Sequence, residues 1–477
     1  MPRARVARRT KIVCTLGPAT SSPEVIEKLI RAGMNVARFN LSHGSYEEHQ
    51  NLIATVRRLA LKLSSRVAIL IDLPGPKFRT GKLREDSAAL KKGARLTLTG
   101  RDVPGDEILV PLNLPDFARL VKPKDTVLID DGAIQLRVLE VSGDDVRCRV
   151  TVGGVLTQGR GVVVPGMKLP GPFLTESLRH HIAFALMEKP DYIALSFIQR
   201  SDDIRQVKDV LRAEGADIPI IAKIERGEAL KNFDSILQAS DAIMVARGDL
   251  GVDIPLPKIP LAQKDIIRKC NQAGKAVITA TQMLESMMNS LHPMRAEVTD
   301  IANAIFDGTD AIMLSGETSI GKYPVQAVAM MAQVARETED KLPYALWLEE
   351  RGAWVKPETD ELISYNACYT AARLKAAAII AFTQSGSTAR RVAKYRPRMP
   401  ILAITPAREV PGRLELYWGV RTEFIDRPSV TMDELFATAV SKAKSLGLVR
   451  SGDLLVITGG IPLGVAGTTN LLKVEKV

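Results

Sequence analysis

Apolar and polar positions along the chain keep one rhythm, break it, and resume it. The run Lys11-Ile12-Val13-Cys14-Thr15-Leu16 is of strand type, and Ser22-Pro23 then offers an N-cap and a first-turn proline for a helix. Residues 35–42 predict a second strand, 46–61 a helix and 67–72 a third strand. There the rhythm stops. Short alternating segments at 95–99, 126–129, 134–138 and 146–150, parted by Gly and Asp turns, predict an inserted all-β unit over 74–170, bounded by proline-glycine hinges. Strand–helix alternation then resumes, with strands at 192–197, 220–225, 242–246, 276–281 and 311–315. Eight strands alternating with eight helices predict a (β/α)8 barrel of the α/β class, a TIM barrel in two pieces, 1–73 and 171–343. Beyond a polar, proline-containing stretch, 347–359, another α/β pattern predicts a separate C-terminal unit, 357–477, with a helix near 364–374 and strands at 378–382, 401–404 and 454–457.

The strand ends carry the chemistry. Ile220-Ile221-Ala222-Lys223-Ile224-Glu225 and Met244-Val245-Ala246-Arg247-Gly248-Asp249 are both apolar runs that end in charge. Residues two apart on a strand share a face, so Lys223 and Glu225 point together. Arg247 and Asp249 do likewise, with the Gly248 N–H open to that side. Two carboxylates and an ammonium at one spot suit a divalent metal with a cation beside it, Glu225 and Asp249 being hard oxygen ligands of the kind Mg²⁺ takes. Arg38, Asn40 and Ser42 share a face by the same spacing, and Asp72, Thr281, Ser315 and Glu317 stand at other strand ends. Each alone has a plain structural reading as a salt bridge, a turn cap or a hydroxyl bonded to backbone. Together they face the mouth at which such barrels hold their active sites. Lys223, Arg38 and Arg79 would supply positive charge where a phosphoryl group or an enolate develops negative charge. No Ser/His/Asp set accompanies His43 or His49, and His180, His181 and His292 are read as structural.

One motif misleads. Gly316-Glu317-Thr318-Ser319-Ile320-Gly321-Lys322 fits the first seven positions of a P-loop, but Tyr323 follows where a hydroxyl must hold Mg²⁺. Pro324 then opens the helix without an N–H.

Composition narrows the partners. The net charge of +11 is scattered and aromatics are only 5%, which suits phosphorylated small molecules and disfavours nucleic acid. Cys14, Cys148, Cys270 and Cys368 are far apart, so a disulfide framework or zinc site is not expected and a reducing, cytoplasmic setting fits. No apolar run reaches membrane-spanning length. The basic opening 1–9 reads as a surface tail, since it has no apolar core of a targeting peptide.

At these residues the chain resembles the pyruvate kinase family from end to end. The resemblance rests on Arg38-Phe39-Asn40-Leu41-Ser42-His43-Gly44, Ile220 through Ala229, Ala246-Arg247-Gly248-Asp249-Leu250-Gly251, Ala280-Thr281-Gln282-Met283-Leu284-Glu285-Ser286-Met287 and Met313-Leu314-Ser315-Gly316-Glu317-Thr318. It implies phosphoryl transfer from phosphoenolpyruvate to ADP, then protonation of the enolate to pyruvate, with Mg²⁺ (or Mn²⁺) as cofactor on Glu225 and Asp249. By the same resemblance Lys223 stabilises the transferring phosphoryl group, and Arg38, Gly248, Asp249 and Thr281 hold the substrate, Thr281 near the protonation step. Asn40, Leu41, Ser42, His43, Arg79 and Arg160 would meet the nucleotide, the inserted β unit would close as a lid, and the assembly would be a homotetramer.

One departure stands out. Potassium-dependent members read D-T-K-G-P-E-I-R-T where this chain has Asp72-Leu73-Pro74-Gly75-Pro76-Lys77-Phe78-Arg79-Thr80. The Lys77 ammonium is expected to take the place of K⁺, making the family's potassium ligands (Asn40, Ser42, Asp72, Leu73) partly vestigial and K⁺ dispensable. In the C-terminal unit, Thr383-Gln384-Ser385-Gly386-Ser387-Thr388 precedes a helix at 389–395 and can cradle the phosphate of an effector; a capped helix start is the plain alternative. The loop at 459–469 carries no Lys, Arg or Trp, which favours a monophosphate effector over fructose 1,6-bisphosphate. Two other readings remain open at this point: another phosphoenolpyruvate-using barrel such as a mutase or Mg²⁺ aldolase, and a silent metabolite sensor.

Overall fold

The computed structural model describes residues 8–75, 78–130, 132–167, 171–426, 431–462, 465 and 467–477. Lys77 and most of the basic tail lie outside the described residues.

Eight parallel strands close into a barrel: Lys11–Thr15, Val36–Asn40, Ala68–Leu73, Tyr192–Leu195, Ile220–Ile224, Ala242–Ala246, Ala276–Ala280 and Ala311–Leu314. The eighth pairs with the first, Lys11 opposite Ala311. Strand residues are buried on both faces, and alternation sorts them into two cores. Ile12, Cys14, Phe39, Ile69, Ile71, Ile193 and Ile224 pack outward under the helices. Val13, Val36, Ala68, Leu70, Ala194, Ile221, Met244, Ile278 and Met313 fill the lumen. The alanines among them leave space for their larger neighbours, so the lumen is a packed stack and no pore.

The inserted unit holds a seven-stranded sheet, ordered Phe78–Arg79, Gly161–Val163, Thr126–Ile129, Ile134–Ser142, Asp145–Val152, Arg95–Thr99 and Leu109–Pro111, with its own apolar core. Its return hinge is tied to the barrel. Asp253 accepts from the Gly166 N–H (3.2 Å) and the Gly227 N–H (2.6 Å), while Arg226 donates to the Met167 carbonyl (2.9 Å).

The C-terminal sheet runs Val420–Phe424, Ile401–Thr405, Ala378–Phe382, Leu454–Gly460, Thr469–Lys476, with only the last strand antiparallel. The two outer strands escape the sequence-level expectation because edge strands carry charge, here Arg421, Glu423, Lys473 and Glu475. The polar stretch 347–359 is partly helical. A helix, Tyr344–Gly352, occupies its first part, and Arg351 stacks on Trp347 and Trp354 while staying buried. At the joint with the barrel, Arg396 is buried and reaches Asp310 (2.8 Å), Asn271 (2.6 Å) and the Gly308 carbonyl (2.8 Å).

Candidate active site

The lumen stack ends in a polar layer at the C-terminal mouth. Counting by twos along each strand (13, 15; 36, 38; 68, 70, 72; 194, 196; 221, 223) carries the apolar column into Thr15, Arg38, Asp72, Ser196 and Lys223. Asp72, fully buried, is the hub. Its Oδ2 accepts from Arg38 Nε (2.8 Å) and lies 2.7 Å from Arg38 Nη2. Its Oδ1 accepts from Lys223 Nζ and Ser196 Oγ, both at 3.3 Å. Lys223 Nζ also donates to Ser196 Oγ (2.7 Å) and sits 2.8 Å from Glu225 Oε1. Arg38 Nη1 donates to Thr15 Oγ1 (2.8 Å), which donates to the Leu314 carbonyl (3.0 Å).

This network sets the charges. Burial alone would push the Asp72 carboxyl up, but Lys223 and Arg38 outweigh it and hold it below its ordinary value. Burial would likewise discharge Lys223, yet Asp72 and Glu225 keep its pKa above that of a free lysine. Glu225 moves the other way. Burial raises its pKa, Lys223 opposes, and the Asp249 charge adds to the rise. Asp72 and Glu225 thus face Lys223 and Arg38, with the Asp249 charge near enough to raise Glu225 further. Glu225 and Asp249 fit a divalent ion: two carboxylates whose proximity is unfavourable unless a cation lies between them. Among the described residues no group of three or more His, Cys, Asp or Glu is placed to hold a metal ion.

The spacing argument holds for one pair and fails for the other. Lys223 and Glu225 do point together. Arg247 and Asp249 do not share a strand face, because the sixth strand stops at Ala246 and Arg247–Asp253 is a helical turn. Arg247 turns away into the protein, where Nη1 meets Asp300 (2.6 Å) and Gln263 (3.3 Å). Its Nε and Nη2 donate to the carbonyls of Ala280 (3.2 Å) and Thr281 (2.6 Å). Those bonds hold an unusual backbone. Thr281 and Gln282 have φ of 65° and 54°, a left-handed conformation that a β-branched residue rarely adopts. The twist aims the Thr281 hydroxyl at the Gly248 N–H (2.8 Å), while it donates to the Ala280 carbonyl (2.6 Å). Phe197, also left-handed (φ 58°), donates its N–H to Glu225 Oε2 (2.6 Å).

Other expected residues are placed as follows. Ser42 lies beyond the second strand in a turn, its N–H bonded to Asn40 Oδ1 (3.2 Å), so the shared face ends at Asn40. Leu41 is buried, and the exposed His43 offers its carbonyl to His49 (2.7 Å). The Leu73 side chain packs in the helix-side core, and both Asp72 oxygens are engaged by protein donors. Glu317 is a correction to the mouth's acidic set. Buried, it accepts from the Leu284 N–H (3.0 Å) and the Ser315 N–H (2.8 Å) and holds the loop after the seventh strand. Arg79 and Arg160 share one edge of the inserted sheet, Arg79 opposite Gly161, with Arg79 donating to the Gly159 carbonyl (2.9 Å) and Arg160 pairing with Asp130 (3.2 Å). Ser196 and Thr15 were missed by the sequence argument, although both lie on the lumen register.

In the C-terminal unit the hydroxyl loop leads into the helix Ser387–Lys394, with Gly386 at φ 83° as its cap residue. Thr383 Oγ1 is buried without a hydrogen-bond partner, and Thr388 and Thr469 share a hydrogen bond (2.8 Å) across to the 459–469 loop.

Comparison with known proteins agrees with this arrangement. Residues 7–328 match the family model "Pyruvate kinase, barrel domain" and 361–475 match "Pyruvate kinase, alpha/beta domain". The chain is 45% identical to the pyruvate kinase of Clostridium acetobutylicum, covering 98% of this chain and 100% of that protein. It is 46% identical to the pyruvate kinase of Geobacillus stearothermophilus over 98% of this chain and 80% of that one. Among solved structures, a pyruvate kinase from Cryptosporidium parvum superposes with a TM-score of 0.93 at 38% identity, covering 98% and 96% of the two chains.

Proposed function

The chain belongs to the pyruvate kinase family, and on that premise we propose that its barrel mouth transfers the phosphoryl group of phosphoenolpyruvate to ADP with Lys223 as the central charge. The observation that carries this is the Lys223 ammonium, buried yet kept charged between Asp72 and Glu225. A preorganised cation in a water-poor site is what a transferring phosphoryl group and a developing enolate both require. Arg38, fixed on Asp72 and Thr15, adds a second cation that cannot swing away. The Thr281 hydroxyl, already hydrogen-bonded on both sides, is positioned to steer a proton toward the enolate carbon. Arg79 and Arg160, on the inserted sheet, would bring positive charge to the nucleotide phosphates when that unit closes and excludes water.

Mg²⁺ or Mn²⁺ would be held by Glu225 and Asp249 and would neutralise the phosphates as a Lewis acid. The Asp249 charge beside Glu225 supports a cation at that spot. Replacement of K⁺ by Lys77 remains a proposal from sequence, since that residue lies outside those described. The loop 383–388, with the unsatisfied Thr383 hydroxyl, supports a phosphorylated effector. Exposed Leu256, Leu261, Met294 and Phe306 on the barrel support the homotetramer. No helix among the described residues is long and apolar enough to cross a membrane, in keeping with a cytoplasmic enzyme.

The test is coupled pyruvate formation from phosphoenolpyruvate and ADP with Mg²⁺, for wild type and Lys223→Gln. Wild-type turnover and at least a hundred-fold loss in the variant are expected. Substantial activity in Lys223→Gln would overturn the role given to the ammonium.

A further inference from the structure

Where the C-terminal unit rests on the barrel, the seam holds two neighbouring half-open cavities of opposite character. One, about 270 Å³, is lined by Lys208 and Arg212 from the barrel and by Arg390 and Arg413 from the C-terminal unit, against Asp217 and Asp241. The other, about 490 Å³, shares Asp217 and Arg413 but adds three carboxylates, Asp191, Glu214 and Glu409, and one cation, Lys189. The Arg413–Asp217 ion pair (3.0 Å) belongs to both linings. One side of the seam therefore has four cations to two carboxylates, the other two cations to four carboxylates.

In the basic cavity the carboxylates are already answered. Asp241 Oδ2 takes Lys208 Nζ (2.9 Å) and the Ile220 N–H (2.8 Å), and Asp217 takes Arg413. Arg390 has no carboxylate within ion-pair distance among the described residues, and the buried Tyr417 lines the cavity with it. Tyr192 forms a second buried wall, its hydroxyl donating to the Arg413 carbonyl. Such a volume equals about nine waters at ~30 Å³ each, room for one phosphate and a short polyol body.

We propose that this cavity binds a small phosphomonoester, its phosphate on Arg390, Lys208 and Arg212. The guanidinium of Arg390 offers the planar fork that matches phosphate oxygens, and Lys208 can turn from Asp241 without leaving that carboxylate bare, since the Ile220 N–H stays on it. The ligand would touch both units. Pro219, in the same lining, leads directly into the strand that ends at Lys223 and Glu225, so occupancy bears on the root of an active-site strand.

The test is isothermal titration of the full chain with glycerol 3-phosphate, with glycerol as control, in a Ser387→Ala background that weakens the adjoining hydroxyl loop, whose Ser385 lines this cavity while Ser387 does not. Saturable binding of glycerol 3-phosphate alone is expected, weakened at least ten-fold by Lys208→Gln, Arg212→Gln or Arg390→Met. Lys208 and Arg212 lie on an outer helix, so their variants keep the test valid if Arg390→Met fails to fold. No saturable heat, equal binding of glycerol, or unchanged affinity in Lys208→Gln and Arg212→Gln would each overturn the proposal.

Discussion

Arg247→Lys tests whether the left-handed turn at Thr281 is held under strain for catalysis. The arginine bridges the Ala280 and Thr281 carbonyls with Nε and Nη2, while Nη1 is anchored on Asp300. Lysine keeps the charge and can keep the Asp300 pair, but a single ammonium cannot reproduce a fork across two carbonyls. A left-handed residue costs about 1–2 kcal/mol for an L-amino acid, and Thr281 is β-branched. Releasing that strain lets the extended conformer compete and moves the hydroxyl off the Gly248 N–H. A bias of that size leaves the productive turn depleted by about 5- to 30-fold. Steady-state kinetics by the coupled pyruvate assay should show kcat falling by that factor, with KM for ADP unchanged. Asp300→Asn is the control. Its side chain is 35% exposed, so the pair is worth about 0–1 kcal/mol and the rate should stay within about three-fold of wild type. If Arg247→Lys keeps its kcat within two-fold, or Asp300→Asn is equally damaging, the fork is not what holds Thr281.

Three further outcomes are expected. Glu225→Gln should raise the Mg²⁺ concentration for half-maximal rate at least ten-fold, and chelation of divalent ions should silence the wild type; full activity in chelator would remove the metal from the mouth. Gly412→Ala places a Cβ 1.7 Å from Asp191 Oδ1, an overpacking that costs about 1–3 kcal/mol, and calorimetry should show a lower melting temperature. An unchanged melting temperature there would mean Asp191 is free to leave the Ile69 N–H it accepts from (2.7 Å). Turnover without K⁺ should lie within a few-fold of turnover with it, and strong activation by K⁺ would discard the Lys77 substitution.

What was legible in the sequence follows the period of two. Lys223 and Glu225 could be paired from spacing because both continue one strand register, and the barrel could be counted because its strands are apolar on both faces. Arg247 and Asp249 looked the same on paper, but the backbone turns helical after Ala246, and an apolar run carries no mark of where a strand yields to a helix. Glu317 resembled a site acid because its residue type is right; only the tertiary turn shows it bonding two backbone N–H groups. Ser196 and Thr15 went unnoticed for the opposite reason, being in register but uncharged.

That register also explains why the polar layer is specified so tightly. Arg38, Asp72, Ser196 and Lys223 come from four consecutive strands, and each meets the others only because each strand presents the same parity to the lumen. The pairings lock it: Asn40 stands opposite Asp72, Asp72 opposite Ala194, and Ala194 opposite Ile221. A slip of one residue in the fifth strand would turn Ile220, Ala222 and Ile224 into the lumen and drive the Lys223 ammonium among the outward Ile193 and Val245 side chains of the neighbouring strands. The apolar residues below the mouth, buried on a fixed parity, therefore hold the charges above it in place, and the core of the barrel is part of the positioning of its site.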